Sequence, residues 1–429
     1  MRTTPEQLYS IFLKNRTIST DSRQIMPGCL FFALKGDNFD GNRFAKGAIE
    51  AGASYAVIDD EKYDGTNTIL VDNVLETLQQ LARKHRRNFD IPVLAITGSN
   101  GKTTTKELIN AVLSRQYRVT ATKGNLNNHI GVPLTILELS EETQIAIIEM
   151  GANHRGEIAE LCTIAEPTHG LITNIGKAHL GGFGGYEGVI KAKNELYEWL
   201  RNSKGEAFVN AGNPLLMDLT QEIKRITYGN AEGVNSHGRI SENMVMLVVE
   251  WLTESGPITI ETNLAGDYNF ENVMAAICTG MYFKMPAEKI REAISNYYPT
   301  NSRSQILKTG RNSIILDAYN ANPTSMQAAI ENLSQIKAMH KMVILGDMLE
   351  LGEESLAEHS AITKLVEEKG FEHTILVGPD FMEVAHSIYP CFRTSEEARD
   401  WLLTHKFENY TILVKGSRGI KMEKVIDAL

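Results

Sequence analysis

The run Gly98-Ser99-Asn100-Gly101-Lys102-Thr103-Thr104 follows an apolar, strand-length stretch (93–97) and precedes a segment of helical character. Glycines let backbone N–H groups turn inward around phosphate oxygens, and a helix N-terminus adds its dipole. In such a loop Lys102 would reach the β- and γ-phosphates, and the Thr103 hydroxyl would ligate Mg²⁺. The usual spacing wants glycine at position 96, where this chain has Ile96, so only G-x-x-G-K-T remains. Taken alone, that short pattern is also what a chance turn looks like. Its placement between strand and helix is what favours phosphate. The absence of an N-K-x-D sequence argues against a guanine-specific site, and a mechanical or regulatory ATPase stands as the competing class.

A phosphate loop needs an acidic partner on a neighbouring strand. The stretch 145–149 ends in Glu149, and a carboxylate at the C-terminal edge of a parallel strand faces the ligand crevice. A solvated strand-end glutamate is the plain alternative. Met150-Gly151-Ala152-Asn153-His154 follows it, with Gly151 permitting close backbone approach. The next apolar stretch, 170–173, leads into a glycine-rich loop carrying His179. Histidines in such loops are mostly surface or hydrogen-bonding groups, and Mg²⁺ prefers oxygen. Lys191 and Lys193 lie on a helical stretch, where lysines are ordinarily solvated.

The elements around these residues are those of an α/β protein. Apolar runs recur at 93–97, 145–149, 170–173 and 207–210, with helix-length segments between several of them, which implies a parallel sheet covered on both faces. Before them, residues 1 to about 87 mix short apolar runs (29–36, 54–59, 68–71) with turns; a basic helical stretch at 78–89 follows, and Pro92 opens a new pattern. A second switch falls near 298–303. After it a fresh series begins at 314–317, 342–346, 374–378 and 411–415. Three domains are expected: an N-terminal α/β module (1–87), a central phosphate-loop domain with a parallel sheet (88–298), and a C-terminal Rossmann-like domain (299–429). The chain has 429 residues, 42% hydrophobic and 22% charged, an ordinary globular composition. Its formal charge of −10 and lack of a Lys/Arg run predict no nucleic-acid partner. There is no uninterrupted apolar stretch of membrane-spanning length and no secretory signal pattern. Four widely spaced cysteines fit a cytoplasmic protein with reduced thiols.

Taken together, these residues resemble the Mur ligases, the ATP-dependent amide ligases that build peptidoglycan precursors for the bacterial cell wall. Asp21-Ser22-Arg23, Pro27-Gly28-Cys29-Leu30-Phe31 and Gly36-Asp37-Asn38-Phe39-Asp40-Gly41 resemble the uridine-nucleotide domain of the family's tripeptide- and pentapeptide-forming members. The shortened loop at 98–104 is the family's own form. Gly124-Asn125-Leu126-Asn127-Asn128 and Gly131-Val132-Pro133 resemble its substrate-side loop. Gly266-Asp267-Tyr268-Asn269-Phe270-Glu271-Asn272 stands in place of G-x-H-N-x-x-N, with tyrosine where histidine is common. Four stretches resemble the member that adds D-alanyl-D-alanine. They are 150–158, Asp317-Ala318-Tyr319-Asn320-Ala321-Asn322-Pro323, 346–352 and Lys415-Gly416-Ser417-Arg418. The D-Y-A-H-T-P and D-N-P-R patterns of the member that adds the third residue are absent.

The resemblance implies the three-domain Mur ligase architecture and carboxylate activation by ATP. The substrates would be UDP-N-acetylmuramoyl-tripeptide and D-Ala-D-Ala, with two Mg²⁺ ions, and a monomeric enzyme is expected. Gly98, Ser99, Asn100, Gly101, Lys102, Thr103 and Thr104 would bind ATP, with Asn269 and Asn272 near the adenine, Asp317 on the ribose and Arg303 at the γ-phosphate. Thr103 and Glu149 would hold one Mg²⁺ and His179 a second. Lys193, in the spacing Lys193-Asn194-Glu195-Leu196-Tyr197, matches the lysine that many relatives carbamylate, which would make it an anionic metal ligand and, with Lys102, His179 and Arg303, part of the catalytic set. Lys191 fits that spacing less well. Ser22, Arg23, Asn127, Asn128 and Asn153 would face the nucleotide substrate, and Asn320, Asn322, Lys415 and Arg418 the incoming dipeptide.

Overall fold

The structure, a computed structural model, describes residues 3–178, 180–241, 245–300 and 302–429. The chain forms two compact units, Met1–Ile96 with Tyr117–Ala152 and Gly156–Gly170, and Thr97–Gln116 with Asn153–Arg155 and Leu171–Leu429.

The first unit opens with helix Pro5–Asn15, started by a capping box in which Thr4 accepts from the Gln7 amide and Gln7 reaches back. A parallel sheet follows in the order Ile18–Ser19, Leu30–Phe32, Tyr55–Ile58, Thr68–Leu70. Phe31, Ala56 and Ile58 close its core with Cys29 and Ala45. The basic helix spans Val74–Arg86, a turn earlier than the apolar pattern suggests, because the Asn73 side chain caps it by accepting from the Glu76 amide. Leu78, Leu81, Ala82 and His85 bury one stripe of it. Strands Val93–Thr97, Ile145–Glu149 and Val119–Ala121 lie side by side and parallel, with Ile96 in register with Glu149. Both longer strands are buried along their whole length, as a sheet covered on two faces requires.

In the second unit, helix Lys102–Leu113 packs against helix Phe270–Tyr282, where Gly280 allows close approach of Val112. Strands Glu206–Asn210, Lys224–Gly229 and Ser236–Ile240 run parallel and are continued by an antiparallel hairpin, Met246–Thr253 and Gly256–Ala265. This hairpin departs from the all-parallel expectation. Along Met246–Thr253 burial alternates residue by residue, the period of a strand with one face covered. A six-stranded sheet closes the chain in the order Gln305–Lys308, Ser313–Asp317, Tyr410–Lys415, His340–Gly346, His373–Val377, Cys391–Phe392, parallel except for its first strand. Its two faces carry separate cores: Ile315, Val343, Leu345 and Leu413 on one, Ile314, Leu316, Ile344 and Ile412 on the other. The ends of Ser313–Asp317 and Tyr410–Lys415 therefore sit side by side, with Asp317 in register with Lys415. Among the described residues, no helix is long and apolar enough to cross a membrane.

Candidate active site

The phosphate loop is held from outside by the turn that follows strand His169–Ile172. Ser99 N–H donates to the Asn174 carbonyl (2.9 Å), Asn100 N–H to Asn174 Oδ1 (3.0 Å), and Thr173 Oγ1 to the Asn100 carbonyl (2.5 Å). Ser99 Oγ donates to the Gly176 carbonyl at 3.1 Å. Gly98 adopts φ 142°, and a Cβ there would collide with Thr173 Oγ1. Gly101, at φ 79°, starts the helix, and its Cβ would stand 2.5 Å from Asn272 Oδ1. Both glycines are thus demanded by conformation and by space. The Lys102 ammonium folds back to donate to the carbonyls of Gly98 (2.7 Å) and Ser99 (3.2 Å). Thr103 and Thr104 are buried in the first helical turn.

Beneath this loop runs a chain of polar side chains. Thr105 Oγ1 donates to Asn272 Oδ1 (2.9 Å), Asn272 Nδ2 to Asn269 Oδ1 (2.8 Å), and Asn269 Nδ2 to Ser304 Oγ (3.0 Å). Ser304 Oγ donates in turn to the Tyr268 hydroxyl at 3.1 Å. The amides of Asn269 and Asn272 are committed to this chain and both residues are buried. Tyr268, at the position where histidine is common, is a half-buried acceptor whose pKa is raised by desolvation.

The residues expected to act on phosphate and dipeptide meet at the strand ends. Arg303 lies between Ser302 and Ser304, both at left-handed φ (50° and 48°). Its guanidinium stacks on Tyr319, 3.4 Å from the ring centroid, and the Arg418 guanidinium lies 5.7 Å from the same ring. Asp317 accepts from Lys415 Nζ at 2.5 Å and from the Ser304 amide at 3.3 Å. Lys415 is buried and also donates to the Asn320 carbonyl (3.3 Å). Asn320 is exposed, its Oδ1 accepting from the Ala321 amide. Asn322 caps helix Pro323–Gln335 through the Ser325 amide (2.9 Å), and its Nδ2 donates to Asn100 Oδ1 (2.8 Å), joining this cluster to the phosphate loop. Lys193 is buried, its ammonium 5.3 Å from the Phe183 ring centroid, whereas Lys191 is exposed. Asn153 is exposed, and its carbonyl faces Gly182. His179 lies outside the described residues.

In the first unit, Glu149 is buried at its strand end. Its Oε1 accepts from Asn127 Nδ2 (2.8 Å), and its amide donates to Thr122 Oγ1 (3.0 Å). Register places it opposite Ile96, two residues before Gly98 in the chain. Asn128 is turned to a capping task, accepting from the Gly131 amide (2.9 Å). Arg23 is exposed and paired with Asp21, whose carboxyl that contact lowers to about 2, and Ser22 is half-buried beside them.

Three residues at these sites were not singled out by residue type or spacing. Tyr319 sits inside a quoted stretch, but only the fold brings two arginines to its ring. Ser417 accepts from the Leu349 amide (2.9 Å) and donates to the Ala321 carbonyl (3.3 Å). His359, fully buried, accepts the Met348 N–H on Nε2 (3.0 Å), fixing the turn that Ser417 touches.

Residues 15–86 match the Mur ligase family catalytic domain, 96–280 the Mur ligase middle domain, and 302–418 the Mur ligase glutamate ligase domain. The UDP-N-acetylmuramoyl-tripeptide–D-alanyl-D-alanine ligase of Bacillus subtilis is 36% identical over 96% of this chain and 92% of its own length. The chain belongs to the Mur ligase family. The Escherichia coli ligase of the same name is 33% identical over 96% of this Mur ligase and 93% of its own chain. Among solved structures, MurF from Acinetobacter baumannii superposes with a TM-score of 0.87 at 33% identity, covering 96% of this chain and 92% of that one. MurF from Thermotoga maritima, in complex with ADP, gives 0.86 at 26% identity, with 97% of each chain covered.

Proposed function

We propose that this Mur ligase joins D-Ala-D-Ala to UDP-N-acetylmuramoyl-tripeptide with cleavage of ATP to ADP and phosphate, in the bacterial cytoplasm and as a monomer, with domains at 1–87, 88–298 and 299–429. The observation that carries the reading is the end-to-end similarity to ligases of that name. In the first step an oxygen of the tripeptide carboxylate attacks the γ-phosphorus, the bond to the β–γ bridging oxygen breaks, and ADP leaves. The dipeptide amine then adds to the acyl carbon of the acyl phosphate. Collapse of the tetrahedral intermediate expels phosphate, and the amine loses its proton.

Two anions must meet in the first step, so the chain supplies cations and N–H donors. Lys102 exchanges the carbonyls of Gly98 and Ser99 for phosphate oxygens, while the amides of Ser99 and Asn100, committed to Asn174, hold the loop in shape. Asn269 and Asn272 support Gly101 and Thr105 and border the adenine. Arg303 takes the γ-phosphate, a group its planar fork can grip at two oxygens. Asp317 takes the ribose. Asn320, Asn322, Lys415 and Arg418 receive the dipeptide. Ser22, Arg23, Asn127, Asn128 and Asn153 face the nucleotide substrate. Glu149 and Thr103 offer the hard oxygen donors that suit Mg²⁺. With them we assign His179 and a carbamylated Lys193, a buried residue whose carbamate would offer an anionic oxygen of the kind Mg²⁺ prefers. Bound Mg²⁺ supplies charge neutralisation on the phosphates. Positioning of carboxylate and phosphorus in line provides much of the remaining rate.

The test is phosphate release by purified protein with ATP, Mg²⁺, the tripeptide nucleotide (diaminopimelate or lysine form) and D-Ala-D-Ala. Release should require both acceptor substrates. Release from ATP alone would favour a nucleotide switch, and release with single amino acids would favour another Mur-type ligase.

A further inference from the structure

We propose that Tyr319 is a positioning residue, an aromatic platform that holds the guanidiniums of Arg303 and Arg418 together and so couples binding of the ATP γ-phosphate to binding of the dipeptide carboxylate. The inference rests on the assignment of those two arginines above and adds the group that places them. Arg303 stands 3.4 Å from the ring centroid and Arg418 5.7 Å, both within the distance at which a cation is attracted to an aromatic face. Among the described residues neither arginine is in an ion pair, so the ring is what offsets the repulsion between two cations brought close together. They arrive from segments 115 residues apart in the chain, and Tyr319 comes from a third.

The ring is itself pinned. Tyr319 N–H donates to the Ser302 carbonyl (3.2 Å) and Ser304 N–H to Asp317 Oδ1 (3.3 Å), so hydrogen bonds on both sides of Arg303 tie its backbone to the strand end that carries the ring. The left-handed φ at Ser302 and Ser304 shows that this short bend is held by its surroundings, since a serine adopts that region only against a steric penalty. The Tyr319 hydroxyl makes no hydrogen bond among the described residues, which leaves the ring face as the working part of the side chain. An unpaired guanidinium stacked on a ring keeps its N–H edge available, so phosphate and carboxylate can be gripped without first breaking a salt bridge. Lys415, paired with Asp317, lacks that freedom.

Steady-state kinetics on the full-length enzyme test this. Tyr319→Phe keeps the ring and should leave the KM values for ATP and D-Ala-D-Ala within about two-fold. Tyr319→Leu should raise both by about five- to thirty-fold, the range expected for losing a partly desolvated cation–π contact. Combined with Arg303→Ala, Tyr319→Leu should add little to the ATP effect. Combined with Arg418→Ala, it should add little to the dipeptide effect. Unchanged KM values in Tyr319→Leu, or full additivity in both combinations, would overturn the platform. A purely structural role would instead lower kcat in parallel for both substrates, with Tyr319→Phe unable to restore it. If Arg303→Ala and Arg418→Ala themselves leave both KM values unchanged, the assignment of the arginines fails. The platform is then judged by arginine Nε–H resonances of the ligand-free enzyme, which Tyr319→Leu should shift and Tyr319→Phe should not. Resonances indifferent to both substitutions would sink it independently.

Discussion

The phosphate loop and the strand-end cluster around Asp317 are both proposed to receive anions, but they hold their charged groups differently. In the loop, Lys102 is parked on carbonyls three and four residues back, and the backbone is braced by one neighbouring turn, 173–176. A phosphate entering there would have to draw Lys102 off those two carbonyls. In the cluster, Lys415 is parked on Asp317, 98 residues away, and both are largely withdrawn from water. An anion approaching Lys415 competes with a carboxylate. Arg303 and Arg418, resting on a ring, form an intermediate case. These two bonds of Lys102 are thus local to the loop, whereas the cluster holds its shape through a long-range ion pair. Removing charge should have opposite consequences in the two places: lost turnover with little loss of stability in the loop, lost stability first in the cluster.

The largest effect is expected at Lys102. Lys102→Ala should lower phosphate release by about 10²–10³-fold, the scale of deleting one donor to developing charge, while circular dichroism and the unfolding midpoint stay close to the parent. Turnover within a few-fold of the parent would remove the phosphate-loop assignment. Lys193 extends the contrast to a buried lysine whose charge carbamylation by CO₂ is proposed to reverse. Lys193→Ala should lose most activity, with partial rescue by millimolar acetate, and Lys193→Arg should stay inactive because a guanidinium cannot become the same carbamate. Good activity in Lys193→Arg would end the carbamate reading and leave Lys193 as a phosphate contact.

At the cluster, Asp317→Ala should destabilise by about 3–5 kcal/mol in denaturant unfolding, because Lys415 is left buried without its carboxylate. The double variant Asp317→Ala/Lys415→Met should recover most of that stability and still be slow in phosphate release. If the single substitution is neutral to stability, the ion pair is not what holds the strand ends. The smallest effect belongs to the amide bridge between the two regions. Asn322→Asp keeps the oxygen that caps helix Pro323–Gln335 but loses the N–H donated to Asn100, so stability should hold while the KM for ATP rises about two- to ten-fold. Asn322→Ala should lose both, with about 1 kcal/mol of stability gone. An unchanged KM in Asn322→Asp would separate the loop from the cluster.

Much of this protein was determined by local sequence. The run 93–104 specifies strand, turn and helix, because the apolar stretch, the two glycines and the lysine act within one turn of each other, and the strand observed there is Val93–Thr97. Strands Ile145–Glu149 and Ser313–Asp317 lie within a residue of the apolar runs that announce them. The antiparallel hairpin at Met246–Ala265 was less legible, since a half-buried strand spreads its signal over alternate residues. Tertiary structure alone decided how the charges are neutralised. Residue type gives an acid at Asp317 and a base at Lys415, but only the parallel register of two strands makes them partners. Nor does spacing reveal that Tyr319 underlies two arginines, or that Asn269 and Asn272 spend their amides on a buried chain beneath Gly101. The physical reason is range. Dihedral preference and hydrophobic period act over a few residues, whereas ion pairing and ring stacking depend on distances that exist only once the sheets have formed.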